Sequence, residues 1–269
     1  MTDRKFSIKI KKASFDLTEG IGLFPIWWGL AWLEIKQRYS RSVIGPFWIT
    51  LSTGVMVAAM GPLYGALLGQ NVAGYIQHLA VSLIIWNFIS GSINDAGNAF
   101  VGADGYIKQI SLPISIYVLK LIARNSLMLA HNSAVVLVVL YLLPPKNLDF
   151  IWLTPIGLML VVGNLFWLAL LLGMFSARFR DIPQLVSNVV QVAFFLSPII
   201  WSAEMLPPGR RYLADFNPLF HFIEVVRAPL LGEPLQLISW IVVTTFLLIG
   251  SAVTFMLFAR FRARVPYWL

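Results

Sequence analysis

Six long apolar stretches run through the chain, over about residues 46–69, 75–95, 116–143, 151–175, 185–203 and 235–259. Each is bounded by charges, prolines or glycines. A bilayer-crossing helix needs about 20 mostly apolar residues. In lipid every backbone group must be bonded within its own segment or in a closed barrel. Runs of this length without alternation exclude the barrel. The pattern therefore predicts an all-α integral membrane fold with six transmembrane helices. The third and sixth stretches are the cleanest, and the second is the weakest, carrying His78, Asn87, Asn94 and Asp95.

Three further segments fit neither a span nor a solvated loop. Residues 21–45 are apolar first and charged last. Pro25 interrupts them, Glu34, Lys36, Arg38 and Arg41 close them, and Trp27, Trp28 and Trp32 favour headgroup depth. A seventh span is the alternative, but it would put the termini on opposite sides. We read an amphipathic helix lying in the membrane interface. Residues 100–113 form a short amphipathic element ending at Pro113. Residues 204–234 hold five prolines around an apolar middle, and predict short re-entrant helices tolerable only where protein covers their ends. Residues 1–20 are left as a tail before a single transmembrane domain, 21–269.

Composition agrees: 58% of the 269 residues are apolar and 12% charged, against about 25% charged in soluble domains. The mean hydropathy is +0.78. Charge placement sets the orientation. All but four of the 20 Lys and Arg residues fall at the ends or in the loops on one side; the exceptions are Lys146, Arg210, Arg211 and Arg227. Both termini are thus expected in the cytoplasm. That placement gives the net charge of +8 a topological meaning, with no nucleic-acid partner. The basic start is not followed by a cleavable apolar stretch, so it does not read as a signal peptide. Cysteine is absent, which removes disulfides and thiolate chemistry.

Catalytic signatures are few. His78, His131 and His221 lie far apart without a second ligand at i+3 or i+4, which favours hydrogen-bonded packing roles over a metal site. No phosphate-binding G-x-x-x-x-G-K-[ST] and no G-x-S-x-G elbow occurs. Polar stripes are present instead: His78, Ser82, Ser90 and Asn94 in the second span, and Gln184, Asn188 and Gln191 in the fifth. Each marks one helix face, which must look at protein or at a wet path. Interhelical bonding, worth about 0.6 kcal/mol per bond, and a path for a hydrophilic substrate both explain the spacing. Aromatics make up 14% of the chain and fit either a membrane belt or stacking surfaces for sugar rings.

Several segments resemble one family. IKQRYSRSVIGPFWITL (35–51), ARFRDIPQLVSNVVQVAFFLSPIIW (177–201), NPLFHFIEVVRAPLLG (217–232) and the terminal VPYWL (265–269) look like the membrane subunits of bacterial polysaccharide ABC exporters. The Wzm-like O-antigen permeases match best, with capsule and teichoic acid permeases close behind. The resemblance implies a multi-pass protein of the bacterial inner membrane. Two copies would form a channel above two cytoplasmic ATP-binding-cassette subunits. The permease itself would not be an enzyme and would bind no cofactor; ATP and magnesium belong to the partner. Residues 100–113 become a coupling helix. Glu34, Tyr106, Lys108, Gln109, Arg178, Arg180 and Asp181 would contact the ATPase subunit.

A mechanism is expected from this. An undecaprenyl-pyrophosphate-linked glycan would arrive at Arg38 and Arg41 and pass a dimer channel lined by Phe47, Trp48, Gln184, Asn188, Gln191, Phe194 and Phe195. It would leave through an outer gate at Glu224 and Arg227. One rival is a permease for teichoic acid, capsule or another lipid-like cargo. The other is a membrane-embedded enzyme on lipid-linked sugars, which would need an acidic or histidine cluster that Asp95, Asp104 and Asp181 do not supply.

Overall fold

The computed structural model describes residues 2–40, 45, 47–145, 147–207 and 209–269, with side chains from Ser7 onward. The described residues are helical throughout, without a strand. The α-helices are α1 (Thr2–Gly22), α2 (Phe24–Arg38), α3 (Phe47–Leu67), α4 (Val72–Ala96), α5 (Asp104–Gln109) and α6 (Ser115–Leu142). They continue with α7 (Thr154–Arg178), α8 (Ile182–Leu196), α9 (Tyr212–Asp215), α10 (Pro218–Leu231), α11 (Leu237–Phe261) and α12 (Val265–Trp268). Among them five stretches are long and apolar enough to cross a membrane: Phe47–Leu67, Val72–Ala96, Ser115–Leu142, Ile151–Arg178 and Leu237–Trp268.

Local chemistry sets the helix ends. Asn71 Oδ1 accepts from the amides of Ala73 and Gly74 at 3.0 and 3.3 Å and starts α4. Asn217 caps α10 in the same way with Pro218 in the first turn, and Gly232 stops it at φ +67°, where only glycine is unstrained. Pro25 lies in the first turn of α2, so it begins a helix and does not break one.

Helix α4 is the post of the bundle. Two thirds of its apolar window is buried, against about a sixth for α3 and α11, and it packs on α3, α6, α7, α8 and α10. That explains part of its weak hydropathy: His78, Ser82 and Ser92 are buried against protein, where lipid sets no penalty, while Asn87 is exposed. Helix α3 lies on it through Thr53, Val57, Gly61 and Gly65. A Cβ at Gly61 would sit 2.6 Å from Ile76, so the small-residue stripe permits the close approach that membrane helices need. Helix α10 is wedged among α4, α7 and α11 with ten of its residues buried. Gly157 of α7 meets the Val225 carbonyl there; a Cβ would lie 2.2 Å from its oxygen.

The apolar stretch 185–203 is helical only to Leu196. Ser197 is extended (φ −91°, ψ 144°), as expected of a residue preceding proline. Fifteen residues rise about 22 Å, short of a hydrocarbon core of about 30 Å.

The segment left as a tail before the transmembrane domain is helical from Thr2 onward. Helix α1 packs on α6 and α11 through Ala13, Asp16 and Gly20, spaced to share one face. Asp16 is fully buried. Its carboxylate accepts from the amides of Ile114 and Ser115 at 3.0 Å each, capping α6 from outside, and pairs with Arg262 Nε at 2.5 Å. Ser115 Oγ returns a bond to the Asp16 carbonyl at 2.9 Å. One side chain thus binds three helices at the end of the bundle that carries both termini.

Replacing Asp16 by alanine strands two amides and a guanidinium. The expected loss of stability is about 2–4 kcal/mol, read as a lower unfolding midpoint in detergent. An unchanged midpoint would show that α1 is held by other contacts.

Candidate functional site

Polar groups gather at both ends of α4. Toward its start stands Arg227 of α10, 3% exposed. Its Nη1 donates to Ser82 Oγ at 2.9 Å and to the Pro198 carbonyl at 3.1 Å, and lies 3.3 Å from His78 Nε2. Its Nη2 pairs with the Glu224 carboxylate, which also accepts from Gln236 Nε2 at 3.3 Å. Glu233 approaches Arg227 Nε at 3.9 Å. Burial pushes the Glu233 carboxyl above the usual carboxylate range; Arg227 opposes this, and Glu224 and Glu204 add to it. Isolated buried charges cost several kcal/mol, and here both Nη groups of Arg227 are hydrogen-bonded while its Nε has only the more distant Glu233 carboxylate. The residues expected at an outer gate thus form a buried node that ties α4, α10 and the peptide closing α8.

Toward the other end of α4, Arg124 Nη2 bonds Asp95 at 2.5 Å and Arg124 Nη1 reaches Glu34 at 3.1 Å. Lys120 Nζ is 3.4 Å from the same Glu34, and Asn125 Nδ2 donates to Asp95 at 3.1 Å and to Ser92 at 3.3 Å. Glu34 therefore fixes α2 to α6. Beside this cluster is a cavity of about 270 Å³ whose polar lining is Arg38, Asn87, Asp95, Asn125 and Asn132. Arg38 is exposed; Arg41 lies outside the described residues.

Helix α8 has three faces. Val186, Val190, Ala193 and Phe194 turn to the core, with Phe194 against Trp86 at 5.8 Å between ring centroids. Leu185, Val189, Val192 and Leu196 form an exposed apolar stripe. Gln184, Asn188 and Gln191, with Phe195, form an exposed polar stripe on the side away from the core, and Gln184 Nε2 donates to Asn188 Oδ1 at 3.2 Å. Of the seven expected channel residues, these four share a face, Phe194 is turned inward, and Phe47 and Trp48 stand exposed at the start of α3.

Helix α5 projects at the termini end. Tyr106, Lys108 and Gln109 are exposed, and among the described residues Lys108 pairs only with Asp104 of its own helix, at 2.8 Å. Arg178 and Arg180 are drawn to the chain's end: Arg178 lies 5.3 Å from the Trp268 ring centroid, and Arg180 Nη2 donates to the Leu269 carbonyl at 3.2 Å. Asp181 is exposed at the head of α8.

The sequence reading did not single out Asp16, Arg262 or the Asp95–Arg124 pair. Asp16 stands three residues from Ala13 and four from Gly20 on one helix face, but its partners are about a hundred and two hundred and fifty positions away. All three histidines are hydrogen-bonded between or within helices: His78 to Arg227, His131 Nδ1 to the Leu127 carbonyl at 2.8 Å, and His221 to Ser239 and the Asp215 carbonyl at 2.8 Å each.

A family model described as ABC-2 type transporter matches residues 26–231, from α2 through α10. The chain is 23% identical over 225 residues to an O-antigen export system permease protein RfbA of Klebsiella pneumoniae, covering 82% of this chain and 87% of that one. A protein of the same name from Myxococcus xanthus is 20% identical over 188 residues, covering 69% and 72%.

Arg227→Ala leaves Glu224 buried without its partner and should cost about 3–5 kcal/mol; removing Glu224 as well should restore part of this. Strict additivity in that double-mutant cycle would show that the two do not act as one node. Glu233 gives a pH signature. Because its folded pKa is raised, the folded chain binds more protons once pH passes the ordinary glutamate value of about 4.3. Stability then falls as pH rises through that window, and Glu233→Gln should flatten the slope of unfolding midpoint against pH.

Proposed function

This chain belongs to the ABC-2 type transporter family, and we propose that it is the membrane subunit of an ATP-driven exporter for a lipid-linked polysaccharide of O-antigen type. The observation that carries the reading is the face of α8 bearing Gln184, Asn188 and Gln191. An unmatched amide in hydrocarbon costs about 2–7 kcal/mol, so this face is not a lipid face. A second copy presenting the same stripe would enclose a hydrophilic path, with Phe195, Phe47 and Trp48 offering ring surfaces to sugars.

In this reading α8 and the extended residues after it make the sixth crossing, and α10 is re-entrant from the outer side. Its node with Glu224 and Arg227 frames the outer gate. The termini, α2 and α5 face the cytoplasm, as the lysines and arginines there require. Two separate ATPase subunits bind ATP and magnesium and dock on α5 through Tyr106, Lys108 and Gln109, with Arg180 and Asp181 beside them. The lipid carrier, an undecaprenyl pyrophosphate, presents its anionic group to Arg38, which lines the polar cavity between α2, α4 and α6, and to Arg41. Closure of the ATPase pair then rocks the two copies as rigid bodies, and the glycan advances between them.

Because the chain has no cysteine, introduced thiols report alone. Asn188→Cys should give disulfide-linked dimers in the membrane, whereas Met159→Cys on exposed α7 should not. Equal or absent crosslinking at both sites would remove the α8 channel. A cation at the surface is worth about 1 kcal/mol toward an anionic group, so Arg38→Ala/Arg41→Ala should weaken substrate capture about thirtyfold. Surface glycan should fall with insertion unchanged; normal glycan would end the headgroup role.

A further inference from the structure

At the termini end, α7, α11 and α12 enclose a cavity of about 280 Å³ that the exporter reading leaves unused. Its floor is apolar: Leu171 and Met174 from the last turns of α7, and Leu257 from α11. Its rim carries Arg178, Arg264 and Trp268, and no carboxylate lines it. The two arginines differ from the four that carboxylates hold among the described residues. Arg124, Arg211, Arg227 and Arg262 pair with carboxylates. Arg178 and Arg264 make no ion pair and donate no hydrogen bond among the described residues; each is placed by an aromatic face, Trp268 at 5.3 Å and Phe261 at 5.8 Å. A ring face satisfies part of the guanidinium charge but accepts none of its N–H groups, which stay available to an acceptor.

Depth completes the argument. From Leu171 to Arg178 the chain climbs about 10 Å along α7, so floor and rim are separated by the distance between acyl chains and headgroups. A free anion needs no apolar floor, and a protein docking surface needs no trough between two spans. We infer that this cavity holds an anionic phospholipid of the cytoplasmic leaflet, with its phosphate on Arg178 and Arg264 and an acyl chain against Leu171, Met174 and Leu257. Basic pockets between membrane helices on the cytoplasmic side select such lipids. The inference rests on the cytoplasmic placement of the termini proposed above.

The test is native mass spectrometry of the full chain in neutral detergent, titrated with phosphatidylglycerol, phosphatidylethanolamine or glycerol phosphate. The wild type should prefer phosphatidylglycerol over phosphatidylethanolamine about thirtyfold, from two cations. Arg178→Gln/Arg264→Gln should lose that preference and Arg178→Lys/Arg264→Lys should keep it. Leu257→Trp, which fills the floor, should lose the lipid with both arginines present. Equal binding of the two lipids by the wild type, or an unchanged preference in the glutamine variant, overturns the site. Competition by glycerol phosphate as strong as by the lipid overturns the acyl floor, and displacement of the lipid by the ATPase subunit assigns the surface to that partner. Detergent binding does not depend on orientation. Thiol labelling of Tyr267→Cys from one side of the membrane tests orientation separately, so either reading can fail alone.

Discussion

A guanidinium removed from water must be surrounded by acceptors, and the arrangement around Arg227 follows from that requirement. Its bonds reach Ser82 of α4, the Pro198 carbonyl beyond α8 and Glu224 of α10, while Glu224 reaches Gln236 ahead of α11. Helix packing between membrane spans gains little from hydrophobicity, because lipid is as apolar as leucine. Interactions that cannot be traded for lipid therefore set the architecture. Helix α8 needs such an anchor most, since Val190 is its only buried residue. It is held by a short core face and by the pinned peptide after Leu196.

The two ionic clusters stand near opposite ends of one helix. Between Ser82 and Ser92 the post α4 carries a buried apolar face of Leu83, Ile84, Ile85, Trp86, Phe88 and Ile89. Above this stretch it is bonded to α10, and below it to α6 and, through Glu34, to α2. A helix fixed at both ends and packed between them moves as a unit. The short helix α5 follows α4 after a few residues, so in the exporter reading a push on α5 arrives at a rigid post and not at a flexible hinge.

How much of this was legible depended on the range of the interaction. Spans with clean apolar runs, such as those giving α6 and α11, are local matters of composition, and their limits fall within a few residues of the pattern. The end of α8 was also written locally, in Ser197 followed by Pro198, although hydropathy alone carried the stretch onward to residue 203. The polar stripe of α4 was visible but ambiguous: periodicity marks a face, and only the fold says whether that face meets Arg227 or a wet path. Helix α1 was the least legible. Without an apolar run it reads as a tail, whereas its place is set by Asp16 reaching Ile114, Ser115 and Arg262, pairings that no local window contains. Arg124 was similar, read for its charge in the topology while its chemistry is the bond to Asp95.

The chain's end supplies the remaining connection. Helix α12 packs on α5 and α7, with Val265 fully buried. Leu269 accepts from Arg180, and Asp181, the next residue, stands at the head of α8. An unbroken series of contacts therefore runs from the exposed helix α5, through the last residues of the chain, to the helix with the outward polar face. Beside its core face, helix α8 is bordered at both ends: Arg227 holds the peptide after its far end, and Gly97 and this tail meet its near end, at Pro183 and Arg180. The far anchor is buried and charge-paired, whereas the tail's bond to Arg180 at the near end is exposed. In the exporter reading, a displacement at α5 therefore reaches α8 at its near end, while the Pro198 anchor holds the other.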